Sequence, residues 1–110
     1  MKVAVIGSRD LQVRDLGAYL PPETTEIVSG GARGIDACAR LYAEQHGLKL
    51  TEFLPDYTLF GRRAPLVRND RIIDYSDHVL AFWDGMSRGT WYVIRECQKR
   101  QKKITIYRIK

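Results

Sequence analysis

Residues 27–36 read Ile-Val-Ser-Gly-Gly-Ala-Arg-Gly-Ile-Asp, and this stretch decides the fold. A short apolar run gives way to a glycine-rich turn, which leads into a segment with helical spacing of its apolar residues. The same order recurs at residues 5–9, Val-Ile-Gly-Ser-Arg, and at residues 82–90, Phe-Trp-Asp-Gly-Met-Ser-Arg-Gly-Thr. In a parallel α/β sheet, ligands bind outside the carboxyl ends of the strands. The three turns are therefore expected to meet at one edge, beside helix N-termini that favour anions.

Strand-like and helix-like patterns alternate along the chain. The predicted strands, rich in Val, Ile, Leu and Phe, are residues 2–6, 25–29, 48–54, 77–83 and 103–109. The predicted helices are residues 10–20, 34–46, 64–75 and 90–101. This alternation predicts the α/β class, as a Rossmann-like three-layer α/β/α sandwich with a five-stranded parallel sheet in the order 3-2-1-4-5. Residues 55–63 are predicted to form one long irregular loop at the ligand edge.

Length and composition favour one domain spanning residues 1–110. Apolar residues make up 45% of the chain and charged residues 28%, which is ordinary for a globular protein. No apolar run approaches the roughly 20 residues that cross a bilayer, and the first apolar run is too short for a signal-peptide core. We therefore expect a cytoplasmic protein with no membrane partner.

The cysteines and histidines give no sign of a metal site. Cys38 and Cys97 fall at apolar helical positions, belong to no CxxC pair and have no His at ligand spacing. We expect both to be buried, reduced thiols. His46 and His78 are isolated, and no chemical role is predicted for either.

The chain is basic, with a formal charge of +5 and a pI near 9.4. This balance suits an anionic ligand or a nucleic acid. The excess is concentrated in residues 95–110, where Glu96 is the only acidic residue. We interpret this segment as a solvated helix face followed by an edge strand, where lysines resist aggregation.

The second turn is the most specific feature. Gly30, Gly31 and Gly34 allow backbone amides to approach a ligand closely and permit positive φ. Arg33 adds a planar, permanently charged group that matches phosphate or carboxylate. Asp36 lies in the first turn of the predicted helix, where it either compensates the helix dipole or belongs to the site.

The other two turns contribute hydroxyl groups. Ser87, Gly89 and Thr90 stand at the start of the predicted fourth helix, where N-capping explains one hydroxyl but not the whole cluster. Ser8 either caps the predicted first helix or donates to a ligand. The predicted ligand therefore has an anionic group.

Two common phosphate-binding patterns are missing. Gly7 does not begin a GxGxxG motif, and the second strand ends in Ser29 with no acidic residue for a ribose hydroxyl, which argues against a dinucleotide cofactor. No GxxxxGK[ST] motif exists either, so no cofactor is predicted. Phosphate contacts alone give marginal affinity, and Tyr57, Trp83 and Trp91 are the candidates for stacking on a base.

These motifs resemble the SLOG superfamily of Rossmann-like nucleotide-binding proteins, and within it the small YspA-like group. The resemblance spans nearly the whole chain and is carried by residues 7–9, 29–36, 68–69, 81–83 and 87–90. The Gly-Gly-Ala-Arg-Gly-Ile-Asp string is also similar to part of DprA, a protein that binds single-stranded DNA. The Gly-Thr turn is similar to that of the LOG enzymes, which cleave the N-glycosidic bond of nucleoside 5′-monophosphates.

The LOG pattern is incomplete in this chain. LOG enzymes carry a glutamate three residues after the threonine of the turn, and that position is Val93 here. A glycosidic cleavage needs a carboxylate near its oxocarbenium-like transition state. Arg68 corresponds to the family's arginine on the third helix. The carboxylates that could replace the missing glutamate are Asp10 and Asp84, each at the end of a predicted strand, but neither matches a family position. No catalytic residue is therefore assigned.

The resemblance implies a domain that binds or senses a nucleotide or nucleotide-derived ligand, and a homodimer paired through helices. A LOG-like N-glycosidase and a DprA-like single-strand binder are the alternatives. Asn69 shares the inward face of the third predicted helix and needs hydrogen-bond partners, from a ligand or from the glycine turns. The predicted ligand-binding residues are Gly7, Ser8, Arg9, Gly30, Gly31, Arg33, Gly34, Asp36, Arg68, Asn69, Trp83, Ser87, Gly89 and Thr90.

Overall fold

The sheet has five parallel strands in the order β3-β2-β1-β4-β5, which confirms the predicted topology. The structure is a computed structural model, and it describes residues 1–109. The strands are β1 (Lys2–Gly7), β2 (Glu26–Ser29), β3 (Lys49–Glu52), β4 (His78–Trp83) and β5 (Ile104–Arg108). In the pairing of β1 with β4, Gly7 lies opposite Phe82. The turns that follow these two strands are therefore neighbours.

Helices flank both faces of the sheet. They are α1 (Ile35–His46), α2 (Tyr57–Phe60), α3 (Ala64–Tyr75) and α4 (Arg88–Lys99). α1 ends at Gly47, which adopts the left-handed conformation with φ 65°. Pro65 lies in the first turn of α3, where its missing amide proton costs nothing. α4 begins before the predicted residue 90, because Ser87 is its N-cap and accepts a hydrogen bond from the Thr90 amide at 3.5 Å.

The prediction of a helix at residues 10–20 is wrong. This segment is irregular apart from one 3-10 turn at Leu16–Ala18. Its two buried leucines, Leu11 and Leu16, are five positions apart and do not share a helical face. Gly17 further lowers the helix propensity. The connection from β1 to β2 therefore packs on the core through single side chains.

Residues 55–63 are more regular than predicted. They contain the short helix α2, followed by a 3-10 turn at Gly61–Arg63 that runs directly into α3. Asp56 caps α2, because its carboxylate accepts a hydrogen bond from the Leu59 amide at 3.0 Å. The connection from β3 to α3 is thus a sequence of turns and not a long loop.

The core consists of two apolar layers, one on each side of the sheet. Alternate residues of each central strand point to opposite faces, and both faces are buried, as expected for a parallel sheet. The layer under α1 includes Val3, Val5, Ile27, Leu80 and Phe82. The layer under α3 and α4 includes Ala4, Ile6, Val28, Val79 and Ala81. The strand ends are therefore fixed from both sides.

The two thiols differ in exposure. Cys97 lies on the buried face of α4, as predicted, and burial raises its pKa to about 11. The same prediction is wrong for Cys38, which is only partly buried on α1. Both cysteines are free.

Candidate functional site

A cleft with a volume of about 490 Å³ opens at the carboxyl ends of β1, β2 and β4. All three glycine turns contribute to its wall, and α3 closes one side. Of the predicted ligand-binding residues, the cleft is lined by Gly7, Ser8, Arg9, Gly30, Arg33, Asp36, Arg68, Asn69, Ser87, Gly89 and Thr90. The geometry brings these residues together at one site.

Gly31, Gly34 and Trp83 do not line the cleft. Gly34 has φ 74°, and a Cβ there would collide with the carbonyl oxygen of Arg9, so its role in the fold is close backbone packing. Gly31 also has positive φ, and a Cβ would come within 2.6 Å of Leu54. The sequence pattern identified these glycines correctly as special positions, but backbone conformation and packing account for them.

Ser8 links the first and third turns. Its side chain is buried, and its hydroxyl oxygen accepts a hydrogen bond from the Asp84 amide at 3.3 Å. The capping interpretation of Ser8 is wrong, because the connection from β1 to β2 contains no α-helix for it to cap. Gly7 has no room for a side chain, since a Cβ would lie 2.5 Å from Ile35 Cγ1. The first turn thus shapes the cleft by holding its neighbours in place.

Arg68 is the best-oriented cation in the cleft. Its Nη1 donates to the Gly30 carbonyl at 2.8 Å, and its Nε donates to Asn69 Oδ1 at 2.8 Å. These bonds use two of the five N–H donors of a guanidinium group, and they leave Nη2 for an anion. The orientation of the Arg68 guanidinium group is therefore fixed by its hydrogen bonds to the Gly30 carbonyl and to Asn69.

Asp36 places a carboxylate beside this arginine. It is buried, and its Oδ2 accepts a hydrogen bond from the Ala32 amide at 3.1 Å. Burial raises the pKa of Asp36, whereas the Ala32 amide and the nearby charge of Arg68 oppose the rise. Asp36 thus holds the second turn closed, and it also supplies an acceptor inside the cleft.

The third turn is organised by Asp84. Its Oδ1 accepts hydrogen bonds from the amides of Met86 and Ser87, each at 2.8 Å, and these bonds hold the pKa of Asp84 below its usual range. The turn delivers the chain to the N-terminus of α4, where the first amides of a helix have no intrahelical partner. The Ser87 hydroxyl accepts a hydrogen bond from the Thr90 amide, so the amides of Arg88 and Gly89 remain able to donate to solvent or to a ligand.

The lip of the cleft is ionic and exposed. Arg33 Nη2 lies 3.5 Å from Asp10 Oδ1, with side-chain exposures of 73% and 86%. An ion pair this open to solvent contributes little to stability. Arg33 can therefore exchange this partner for a ligand at small cost.

One wall of the cleft is apolar, which the sequence analysis did not predict. Its members lie on α3, on α4 and in the turn before α4, and they are Pro65, Leu66, Ile72, Met86 and Val93. The sequence does contain a pattern that predicts part of this wall. Spacing at i, i+3, i+4 and i+7 places four residues on the helical face that carries Arg68, namely Pro65, Arg68, Asn69 and Ile72. Val93, at the position of the LOG glutamate, gives this wall a methyl surface and no carboxylate.

The aromatic candidates lie elsewhere. Tyr57, Trp83 and Trp91 are not part of the cleft lining. Trp83 instead stacks on Trp91, with ring centroids 5.3 Å apart and an interplanar angle of 16°. Any contact of the cleft with an apolar ligand face is made by its aliphatic wall.

In the part of the chain that the structure describes, no helix has the length and apolar character needed to cross a membrane. Residues 1–109 also contain no group of three or more His, Cys, Asp or Glu side chains placed to hold a metal ion. Comparison of the chain with protein-family models, with curated proteins and with solved structures finds no match.

Proposed function

We infer that this chain binds a nucleotide or nucleotide-derived small molecule in the cleft at the carboxyl edge of its sheet. The observation that carries the proposal is the arrangement of two anion-binding elements around one cavity. The free amides at the start of α4 approach it through Gly89, and the oriented guanidinium of Arg68 approaches it from α3. Both elements bind phosphate or carboxylate oxygens.

The dimensions of the cleft agree with a ligand of this size. Its volume of about 490 Å³ falls within the roughly 300–1,000 Å³ typical of small-molecule sites. Each hydrogen bond to a charged group contributes about 1.5–3 kcal/mol, whereas micromolar affinity needs about 8 kcal/mol net. Anion contacts alone therefore give weak binding. The aliphatic wall supplies the additional contact area for a base or sugar.

The charges around the cleft favour a ligand with a single phosphate. The lining carries equal numbers of arginines and aspartates, namely Arg9, Arg33, Arg68 and Asp10, Asp36, Asp84. A polyphosphate or a nucleic-acid strand would bring several negative charges to a site with no net positive charge. A nucleoside monophosphate matches it better, because its hydroxyl groups can donate to the carboxylates.

This proposal agrees with the resemblance to the SLOG superfamily, and it includes a cytoplasmic location, where nucleotides are abundant and the two cysteines stay reduced. A homodimer and a sensing role remain part of the same hypothesis.

The proposal can be tested by thermal shift and calorimetry with a panel of nucleoside mono-, di- and triphosphates. We expect a monophosphate to raise the melting temperature and Arg68→Ala to abolish the shift. Arg14→Ala is the matched control, because Arg14 is exposed and lies outside the cleft. Chromatography of the same samples reports any released base, which would indicate LOG-like cleavage. Absence of binding by the whole panel, or equal binding by Arg68→Ala, contradicts the proposal.

A further inference from the structure

The exposed face of α4 carries a stripe of cations around one indole ring. Arg88, Trp91, Arg95 and Lys99 are spaced at i, i+3, i+7 and i+11, so they share one side of the helix, and all are exposed. The one carboxylate on α4 belongs to Glu96, whose side chain is mostly covered; it accepts from Arg100 at 3.2 Å, and it lies 3.9 Å from Lys99 Nζ, whose own side chain is 76% exposed. We call the four exposed residues the Trp91 tract.

Trp91 is held in place by Trp83, on which its ring stacks. One face of its ring packs on Trp83, yet 43% of the residue is exposed. The exposed surface therefore falls on the opposite face and the ring edge. Trp83 is itself fixed, because its Nε1 donates to the Ser87 carbonyl at 3.1 Å and the Arg108 guanidinium lies 5.8 Å from its ring centroid. An exposed indole on such a support is a preorganised surface for stacking.

The Trp91 tract is separate from the cleft. None of its four residues lines the cavity, although the tract begins directly after Ser87, which does. Because the positive and negative side chains that line the cleft are equal in number, the chain's net charge of +5 comes from residues on other surfaces. The exposed stripe on α4 is one such surface.

We propose that the Trp91 tract binds single-stranded nucleic acid. An aromatic face accepts any base by stacking, and cations spaced along a helix follow the phosphates of the same strand. A membrane surface would need an apolar helix face, and the solvent side of α4 offers one tryptophan among cations. A duplex keeps its bases stacked on one another, and so it cannot use the indole.

The size of the tract sets the expected strength of binding. Its ends are separated by eleven residues of helix, or about 16 Å. Neutralising three phosphates of a single strand gives a slope of about −2 in log K against log salt. Affinity should therefore fall about 20-fold between roughly 50 and 200 mM salt.

The experiment measures fluorescence anisotropy of labelled oligothymidylate and oligouridylate of about 12 nucleotides, within the site size of single-strand binders. Intrinsic fluorescence supplies a second readout, because Trp83 and Trp91 are the only tryptophans in the chain. We expect binding with the stated salt dependence and quenching of the tryptophan emission. Trp91→Ala should weaken binding at least about fivefold, and Trp91→Phe should retain most of it. Arg95→Gln should reduce the salt slope by about 0.7, whereas Arg14→Gln should leave it unchanged.

Three results would overturn the proposal. They are absence of binding at low salt, equal affinity of Trp91→Ala and the native chain, and equal affinity for a duplex of the same length. Circular dichroism verifies that each variant is folded. Loss of strand binding in Arg68→Ala with full binding in Trp91→Ala would place the strand in the cleft and also refute the tract. Nucleotide binding in the cleft is scored separately, so the two proposals can fail independently.

Discussion

Replacing Gly89 with alanine separates the stability of α4 from the function of the cleft. Gly89 is in the first turn of α4, and a Cβ built on it meets no atom within 4 Å. Its φ is not positive, so alanine fits the native backbone without strain. In such a position alanine stabilises by about 0.4–1 kcal/mol, because it reduces the freedom of the unfolded chain. For a domain of this size the melting temperature should rise by about 2–6 °C.

The same methyl group should interfere with binding. A Cβ on a helix points toward the helix N-terminus, and Gly89 lines the cleft at that end of α4. A ligand anion would be pushed away from the amide of residue 89. Losing one hydrogen bond to a charged group costs about 1.5–3 kcal/mol, so affinity for the nucleotide should fall about 10- to 150-fold.

Gly47→Ala is the matched control for this substitution. Its Cβ would also enter open space, but Gly47 has φ 65°. Alanine in the left-handed region costs about 1–2 kcal/mol, so this variant should melt at a lower temperature and bind the ligand normally. Calorimetry and thermal melting of both variants measure the two effects. If Gly89→Ala is more stable and binds as tightly as the native chain, the amides at the start of α4 do not contact the ligand. A fall in its melting temperature would refute the argument from φ.

Three further substitutions test single features of the structure. The pKa of Asp36 is raised in the folded state, so ionisation of this carboxyl lowers the stability of the native chain as pH rises above the usual pKa of 3.8. Asparagine cannot ionise. The free energy of unfolding of Asp36→Asn, measured in urea, should therefore increase relative to that of the native chain when pH is raised from about 4 to about 7. An equal difference at both pH values would contradict this. Ellman's reagent should modify Cys38 rapidly and Cys97 only on unfolding, since burial raises the pKa of Cys97 to about 11. Fast reaction that persists in Cys38→Ser would show that α4 opens readily. Trp83→Phe removes the donor to the Ser87 carbonyl, and the free energy of unfolding should fall by at least about 0.5–1.5 kcal/mol. An unchanged value would mean that this bond contributes nothing to the turn.

The strand order and most of the cleft could be predicted because they depend on local patterns. Alternating strands and helices with short connections allow few parallel topologies, and the carboxyl ends of the strands then necessarily share one edge. Residues at those ends, such as Arg33 and Ser87, were placed correctly by position alone. The orientation of Arg68 was not predictable in this way, because it depends on the carbonyl of Gly30, 38 residues earlier in the chain.

The wrong predictions have a common origin in tertiary packing. Residues 10–20 contain enough apolar side chains for a helix, but Leu11 and Leu16 reach the core from an irregular backbone. The local sequence shows which side chains are apolar. The backbone conformation that brings them to the core depends instead on the space available beside α1. Trp83 shows the same limit at the site. Its place at the end of a strand was predicted correctly, but its stacking on Trp91 of α4, away from the cleft lining, was not.

The position of Trp83 connects the two proposed binding surfaces. Its indole nitrogen donates to the carbonyl of Ser87, the residue that caps α4 and lines the cleft. Its ring supports Trp91 on the outside of the same helix. A ligand anion at the start of α4 would therefore order the turn whose carbonyl orients Trp83, and a base stacked on Trp91 would press on the same ring. Coupling between two sites requires an element that both ligands contact or bias. If both proposed ligands bind, the segment from Trp83 to Trp91 is such an element, so occupancy of the cleft should change the affinity of the tract, and the reverse should hold by the same factor.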